Sequence, residues 1–193
     1  MTELKAGARI DYTVTYLEMT DRPSVARPHA PLNQNLLLIA AENPPPWYFL
    51  SLYDAVGGEL EWTDWHQRPA EELAAFVSDP DVTLFTLMRT GWPAGFFMLD
   101  TREAGVCDLA YFGLVPEAVG LRLGSYLLQT AVHTGWDQPG VQRMTVNTCT
   151  LDHPRALPLY QKMGFSPVRQ ERQSRILTRD RITPVAPHET LDQ

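Results

Sequence analysis

A chain of 193 residues that is 44% hydrophobic and 20% charged has the composition of an ordinary globular protein with one sizeable core, neither disordered nor membrane-embedded. Its formal net charge of -7 argues against a nucleic-acid backbone as the main partner, because phosphate binding wants clustered Lys and Arg, and makes a cationic small molecule the easier guest. Met1 to Ile10 has no basic stretch followed by an apolar one, and the apolar runs around Leu36 to Ala41 and Trp47 to Leu52 are too short for a membrane span, so a cytoplasmic protein is expected.

Tyr12 to Leu17 alternates β-branched and aromatic residues with polar ones, as a half-buried strand does, and Asp21, Arg22 and Pro23 end it. From about residue 23 to residue 46 prolines break regular structure, leaving a connection with one short apolar element at Leu36 to Ala41. Trp47, Leu50, Tyr53 and Asp54 recur at helical spacing after Pro46, up to Gly57-Gly58. A second helix is expected from Pro69 to Val77, stopped by Asp79-Pro80.

Val82 to Arg89 and Ala94 to Asp100, joined by Thr90-Gly91-Trp92-Pro93, predict an antiparallel hairpin, and Val106 to Val115 predicts the next strand. A glycine-containing turn leads from there into a helix from Ser125 to about Trp136. After a strand from Arg143 to Thr150, Asp152-His153-Pro154 is expected to open a further helix, with Asp152 or His153 as cap, Pro158 bending it and Gly164 ending it. Pro167 to Arg172 and Arg175 to Thr178 predict two closing strands, and residues 182–193 a tail. The whole is expected to be one mixed α+β domain. Its two cysteines, Cys107 and Cys149, show neither CxxC spacing nor a nearby His pair, so they are expected to pack as small hydrophobes and no metal is expected.

The most informative run is Tyr111-Phe112-Gly113-Leu114-Val115-Pro116 followed by Val119-Gly120-Leu121-Arg122-Leu123-Gly124-Ser125. A strand that passes through a short turn into a helix leaves backbone amides unpaired at the helix start, and with the helix dipole they form an anion site that fits a pyrophosphate. Gly120 and Gly124 let the backbone approach the phosphate oxygens without an intervening side chain. A Lys-Ser/Thr pair after the glycines and the dinucleotide-binding spacing are both absent, which speaks against a nucleotide-binding domain.

Downstream, Ala156-Leu157-Pro158-Leu159-Tyr160-Gln161-Lys162-Met163-Gly164-Phe165 has the pattern Ala-x-x-Leu-Tyr-x-Lys-x-Gly-Phe. With the first run it resembles the GNAT acetyltransferase family, from Val82 to Val168 and most strongly from Tyr111 to Phe165. The resemblance implies a twisted mixed sheet with helices on both faces, whose strands at Val106 to Val115 and Arg143 to Thr150 splay apart to admit the pantetheine arm of acetyl-coenzyme A. It also implies that Phe112, Gly113, Leu114 and Val115 pair with that arm and that the amides from Gly120 through Leu121, Arg122, Leu123 and Gly124 to Ser125 hold the pyrophosphate. Val119 and Arg122 depart from the family's usual Gln/Arg-x-x-Gly-x-Gly/Ala turn, and Arg122 either crowds it or lends a guanidinium to the phosphates.

Tyr160 stands where the family places the tyrosine that protonates the departing thiolate; a core tyrosine satisfied locally is the alternative. Asp108 matches the position of a family glutamate base and, being shorter, would work through water; it competes with an aspartate merely facing solvent or paired with arginine, and with Glu117 as base. Asn147 is a contact either to the coenzyme or to a strand end, and His153 either a coenzyme contact or a helix cap. Trp47, Tyr48, Tyr53, Trp62 and Trp65 wall the acceptor site in this fold, with Glu59, Glu61 or Asp64 supplying charge, unless they simply pack. The expected reaction is transfer of acetyl to a primary amine of a small molecule or peptide; a catalytically weak acyl-coenzyme A binding module competes with it. Whether the chain works alone or as a homodimer is open.

Overall fold

The computed structural model describes residues 4–181. Its strands are β1 (Arg9–Met19), β2 (Leu36–Ala41), β3 (Val82–Arg89), β4 (Trp92–Asp100), β5 (Val106–Leu114), β6 (Arg143–Cys149) and β7 (Ser166–Ile176). Its helices are α1 (Pro46–Gly57), α2 (Ala70–Val77), α3 (Leu123–Trp136) and α4 (Ala156–Lys162). The strands form one sheet in the order β2-β3-β4-β5-β6-β1-β7, antiparallel throughout except for the parallel neighbours β5 and β6.

The β3–β4 hairpin is tighter than its sequence suggested. Thr90 and Gly91 both take positive φ, 46° and 94°, the two-residue turn that matches strand twist, so Trp92 and Pro93 belong to β4. The proline-rich connection contains β2 as an edge strand on β3, and its Gln34 amide donates to the Leu121 carbonyl at 3.3 Å, steadying the turn before α3. α1 starts on Pro46 after extended Pro45, where a missing amide hydrogen costs nothing.

Three expectations at the C-terminal end are corrected. The chain turns through residues 151–155 and α4 begins only at Ala156, so neither Asp152 nor His153 is its cap. Asp152 instead accepts hydrogen bonds from the Thr148 hydroxyl and the Cys149 amide, both at 2.8 Å, and these hold it against the end of β6. With that later start, Pro158 falls in the first turn, where its absent N–H had no partner to lose, so it gives no cause for a bend. The two closing strands are one, β7, because β1 templates it from Ile176 back to Ser166. The tail, residues 182–193, lies outside the described residues.

Alternation along β5 fixes what lies on each face. Cys107 packs toward Gly135 of α3, and Leu114 approaches Gly124 of the same helix. Gly113 points the other way, where an added Cβ would stand 2.2 Å from Val56 of α1. Residues 107 and 114 share a face only because the register with β4 slips between Met98 and Leu99, making Ala110 the surplus residue of a bulge. α1 and α2 therefore cover one face with Tyr111, and α3 and α4 the other with Phe112. A continuous apolar core, including Phe49, Phe96, Leu127 and Leu128 at 0% exposure, holds both layers to the sheet, each such side chain contributing about 1.5–3 kcal/mol.

Candidate active site

β5 and β6 pair over only three positions, Val106↔Arg143, Cys107↔Met144 and Asp108↔Thr145, and then part. Beyond that point the edge of β5 from Leu109 to Leu114 faces a gap, as the family resemblance implied. At the far end of β5 the chain passes through a single 3₁₀ turn, Pro116–Ala118, and enters α3 with Gly120 at φ 88° and Arg122 at φ 62°. α3 begins at Leu123, two residues earlier than expected, so Leu123, Gly124 and Ser125 are its first turn.

Among the described residues the amides of Gly120, Arg122, Leu123, Gly124 and Ser125 have no backbone acceptor, and no side chain caps the helix. Leu121 differs, its amide donating to Ala118 at 3.3 Å, and Val115 offers little, since its amide is bound to Ala94 and its carbonyl to Ala118. Phe112, Gly113 and Leu114 are thus the residues of β5 left to meet a ligand in the gap. Arg122 sits exposed in the left-handed region that favours glycine, which explains why a glycine is usual at this position.

Gly124 has no need of being glycine for the protein's own sake, because an added Cβ would meet only Leu114 at an ordinary 3.8 Å. Gly124→Ala is therefore expected to leave stability unchanged or raise it by about 0.5–1 kcal/mol through helix propensity, yet to weaken coenzyme A binding at least about tenfold by holding phosphate off the amides. Thermal unfolding and calorimetry on the same variant measure the two effects; unaltered affinity would remove this turn from the site.

Asp108 stands at the last paired position before the strands part. It accepts a hydrogen bond from the Thr145 hydroxyl at 2.6 Å, and its cross-strand neighbour on the other side is Asp100. Burial pushes its carboxyl up to about 6, with the Asp100 and Glu103 charges adding and the Thr145 bond opposing. The arginine-paired alternative is realised at Asp100 instead, held by the Arg102 guanidinium at 2.6 Å. Glu117 is exposed in the 3₁₀ turn and borders neither cavity around Asp108.

Those two cavities, about 670 and 510 Å³, lie on the face covered by α1 and α2 and share Asp100, Arg102, Asp108 and Asn147. Asn147, opposite Tyr16 of β1, is exposed and makes no side-chain hydrogen bond to the described residues. His153 is exposed, and its Nδ1 accepts the Arg155 amide at 3.2 Å, closing the turn before α4.

Tyr160 is on the opposite side of the sheet. Its ring meets Phe112 and Phe165 edge-on at 6.0 and 6.1 Å, it is 5% exposed, and its hydroxyl has no hydrogen-bond partner among the described residues. Burial drives its acidity far down, and the Asp152 and Asp108 charges push the same way, so the phenol stays protonated. Burial likewise pushes the Cys107 and Cys149 thiols up to about 12, which leaves both inert.

The first-third aromatics divide. Tyr53, Trp62 and Trp65 pack around Tyr111, with the Trp65 indole donating to the Tyr111 hydroxyl at 2.6 Å, whereas Trp47 is 67% exposed. Trp62 also donates to Asp152 at 3.2 Å, carrying the segment after α1 from β5 across to the end of β6. Glu61 and Asp64 border neither cavity: Glu61 is buried and accepts from Thr178, and Asp64 lies 3.6 Å from Arg175. Besides Asp108, the carboxylates that border the cavities are Asp79, Glu72, Asp100, Glu18 and Glu103; none of these five was singled out in the sequence, because α2, β1, β4 and the β4–β5 loop meet only in the fold.

The family model described as Acetyltransferase (GNAT) family matches residues 46–165. The chain belongs to this family. Solved structures with the GNAT fold include a tandem GNAT protein from the clavulanic acid biosynthesis pathway, with TM-score 0.58 at 15% identity, covering 85% of this chain and 53% of that one. An IAA acetyltransferase from Bacillus cereus ATCC 14579 gives 0.53 at 18%, covering 70% and 79%. An aminoglycoside acetyltransferase from an uncultured soil metagenomic sample gives 0.53 at 13%, covering 82% and 93%. At these identities the likeness shows the fold alone. The chain spans only 53% to 63% of the length of several such GNAT structures. Comparison with curated protein sequences finds no match. Among the described residues no helix is long and apolar enough to cross a membrane, and no group of three or more His, Cys, Asp or Glu is placed to hold a metal ion.

Proposed function

We propose that this GNAT protein transfers acetyl from acetyl-coenzyme A directly to a primary amine of a small molecule or peptide. The observation that carries the reading is the parting of β5 from β6 immediately after Asp108, with free amides at one end of the gap and a cavity-lined face at the other. The coenzyme's pantetheine arm lies along Phe112 to Leu114, and its pyrophosphate rests on the amides of Gly120 and of Arg122 to Ser125.

Asp108 and Tyr160 divide the proton work between the two faces. The amine must be neutral to attack the thioester carbon, and Asp108 takes its proton, through a water where the aspartate falls short. As the new C–N bond forms and the C–S bond breaks, Tyr160 gives its phenolic proton to the sulfur, and the proton shed by the acylated nitrogen returns to the phenolate, so that the amide and the free thiol are the only products. A thiolate leaving into the same apolar surroundings is destabilised by the burial that weakens the phenol as an acid, which keeps the transfer feasible.

Calorimetry with coenzyme A, followed by thiol release from acetyl-coenzyme A in the presence of amines, tests the reading. Binding with amine-dependent release above background is expected. Tight binding without release would select a binding module, for which the strained Arg122 turn is the supporting feature, and absence of binding would overturn both.

A further inference from the structure

Resting on that acetyltransfer reading, the face around Asp108 narrows the acceptor. Asp100 of β4, Asp108 of β5, Thr145 of β6 and Glu18 of β1 are successive cross-strand partners, so they form one row across four adjacent strands at the point where the gap opens. Asp108 and Glu18 are two strands apart, about 10 Å between their backbones. Both border the larger cavity, and that cavity, rather than the acidic residues in themselves, is what makes the row a place for substrate.

The charges there are not balanced. The three guanidiniums that border the two cavities are already engaged: Arg102 with Asp100, Arg169 with Glu171 and over the Tyr16 ring, and Arg68 over the Trp65 ring. Arg143 bridges Glu18 and Glu103 at 3.2 and 3.3 Å, one positive charge to two negative, so that trio stays net negative. Among the described residues Asp108 has only the Thr145 hydroxyl. An acceptor bearing a carboxylate beside its amine meets excess negative charge here, while one with a second cation is drawn to it.

We infer that the acceptor is a diamine or polyamine whose reacting nitrogen sits at Asp108 and whose distal ammonium lies against Glu18 and Glu103. Two interstrand spacings, shortened by the reach of the two side chains, suit a separation of about four to six methylenes.

The test is kcat/KM by thiol release for a linear diamine, the monoamine of equal length, and the ω-amino acid of equal length. The diamine should exceed the monoamine by about tenfold, the size of one charge-assisted hydrogen bond, and the amino acid should rank below both. Glu18→Gln should cut the diamine-to-monoamine ratio about fivefold through KM, and 0.5 M salt should shrink it as well. Should no amine release thiol, calorimetry of the same three compounds on coenzyme A-loaded protein reads the ranking directly. Equal values for diamine and monoamine, or an amino acid that ranks first, overturn the inference while leaving acetyltransfer standing; failure of coenzyme A to bind overturns the acetyltransfer reading on which the inference rests.

Discussion

Asp108→Asn is expected to lower kcat/KM at least about a hundredfold while making the protein more stable at neutral pH. The substitution keeps shape, and an amide oxygen still accepts the Thr145 hydroxyl. What it removes is a carboxylate held in a low-dielectric place. Burial raises that carboxyl from 3.8 to about 6, so between those values the folded protein binds a proton that the unfolded chain has released. Stability is then lost as pH rises through the window, and above it the full penalty, at most about 3 kcal/mol, is present. The stability gain of the variant should accordingly be near zero at pH 4 and largest at pH 7, measured by urea unfolding at both. The parent's rate should fall as pH drops through about 6, where the base becomes protonated. A variant with parental activity, or with the same stability difference at both pH values, would deny Asp108 this role.

Tyr160→Phe should reduce kcat about ten- to a hundredfold with coenzyme A affinity changed by less than about twofold. Among the described residues the hydroxyl has no partner whose loss would cost stability, so the melting temperature should stay within a few degrees. The informative control is the donor. A thioester whose thiol is more acidic needs little protonation on leaving, and with it the defect should shrink. A defect of equal size for both donors would point to packing rather than proton transfer, and unchanged kcat would take Tyr160 out of the chemistry.

Much of the architecture was legible along the chain, for reasons tied to particular residues. Alternation exposed β1, Thr90-Gly91-Trp92-Pro93 marked the hairpin although only its first two residues form the turn, and the glycines from Gly120 to Gly124 located the turn into α3 without any long-range information. What escaped notice depends on partners far away in sequence. The bulge at Ala110 is invisible because Leu109-Ala110-Tyr111-Phe112 is apolar in either register, and only pairing with β4 shows which residue is surplus. β7 is an exposed polar strand without clear periodicity, and the template that makes it continuous is β1, more than a hundred residues earlier. Asp152 could pass for a helix cap because its indole partner, Trp62, is 90 positions away. The acidic row had the same obscurity, since Glu18, Asp100, Asp108 and Thr145 belong to four strands that only the sheet order makes neighbours.

The surplus residue in β5 has a consequence for how such a protein changes over time. By turning Tyr111 to one side and Phe112 to the other, it would, under the proposed acetyltransfer, assign the recognition of the incoming nucleophile and the gripping of the donor to separate populations of side chains. Exchanges at Tyr16, Glu18, Arg68 or Glu72 can redraw the preference for one reactant while the residues that handle the other stay as they are. A scaffold partitioned in this way can acquire a new customer without relearning its trade.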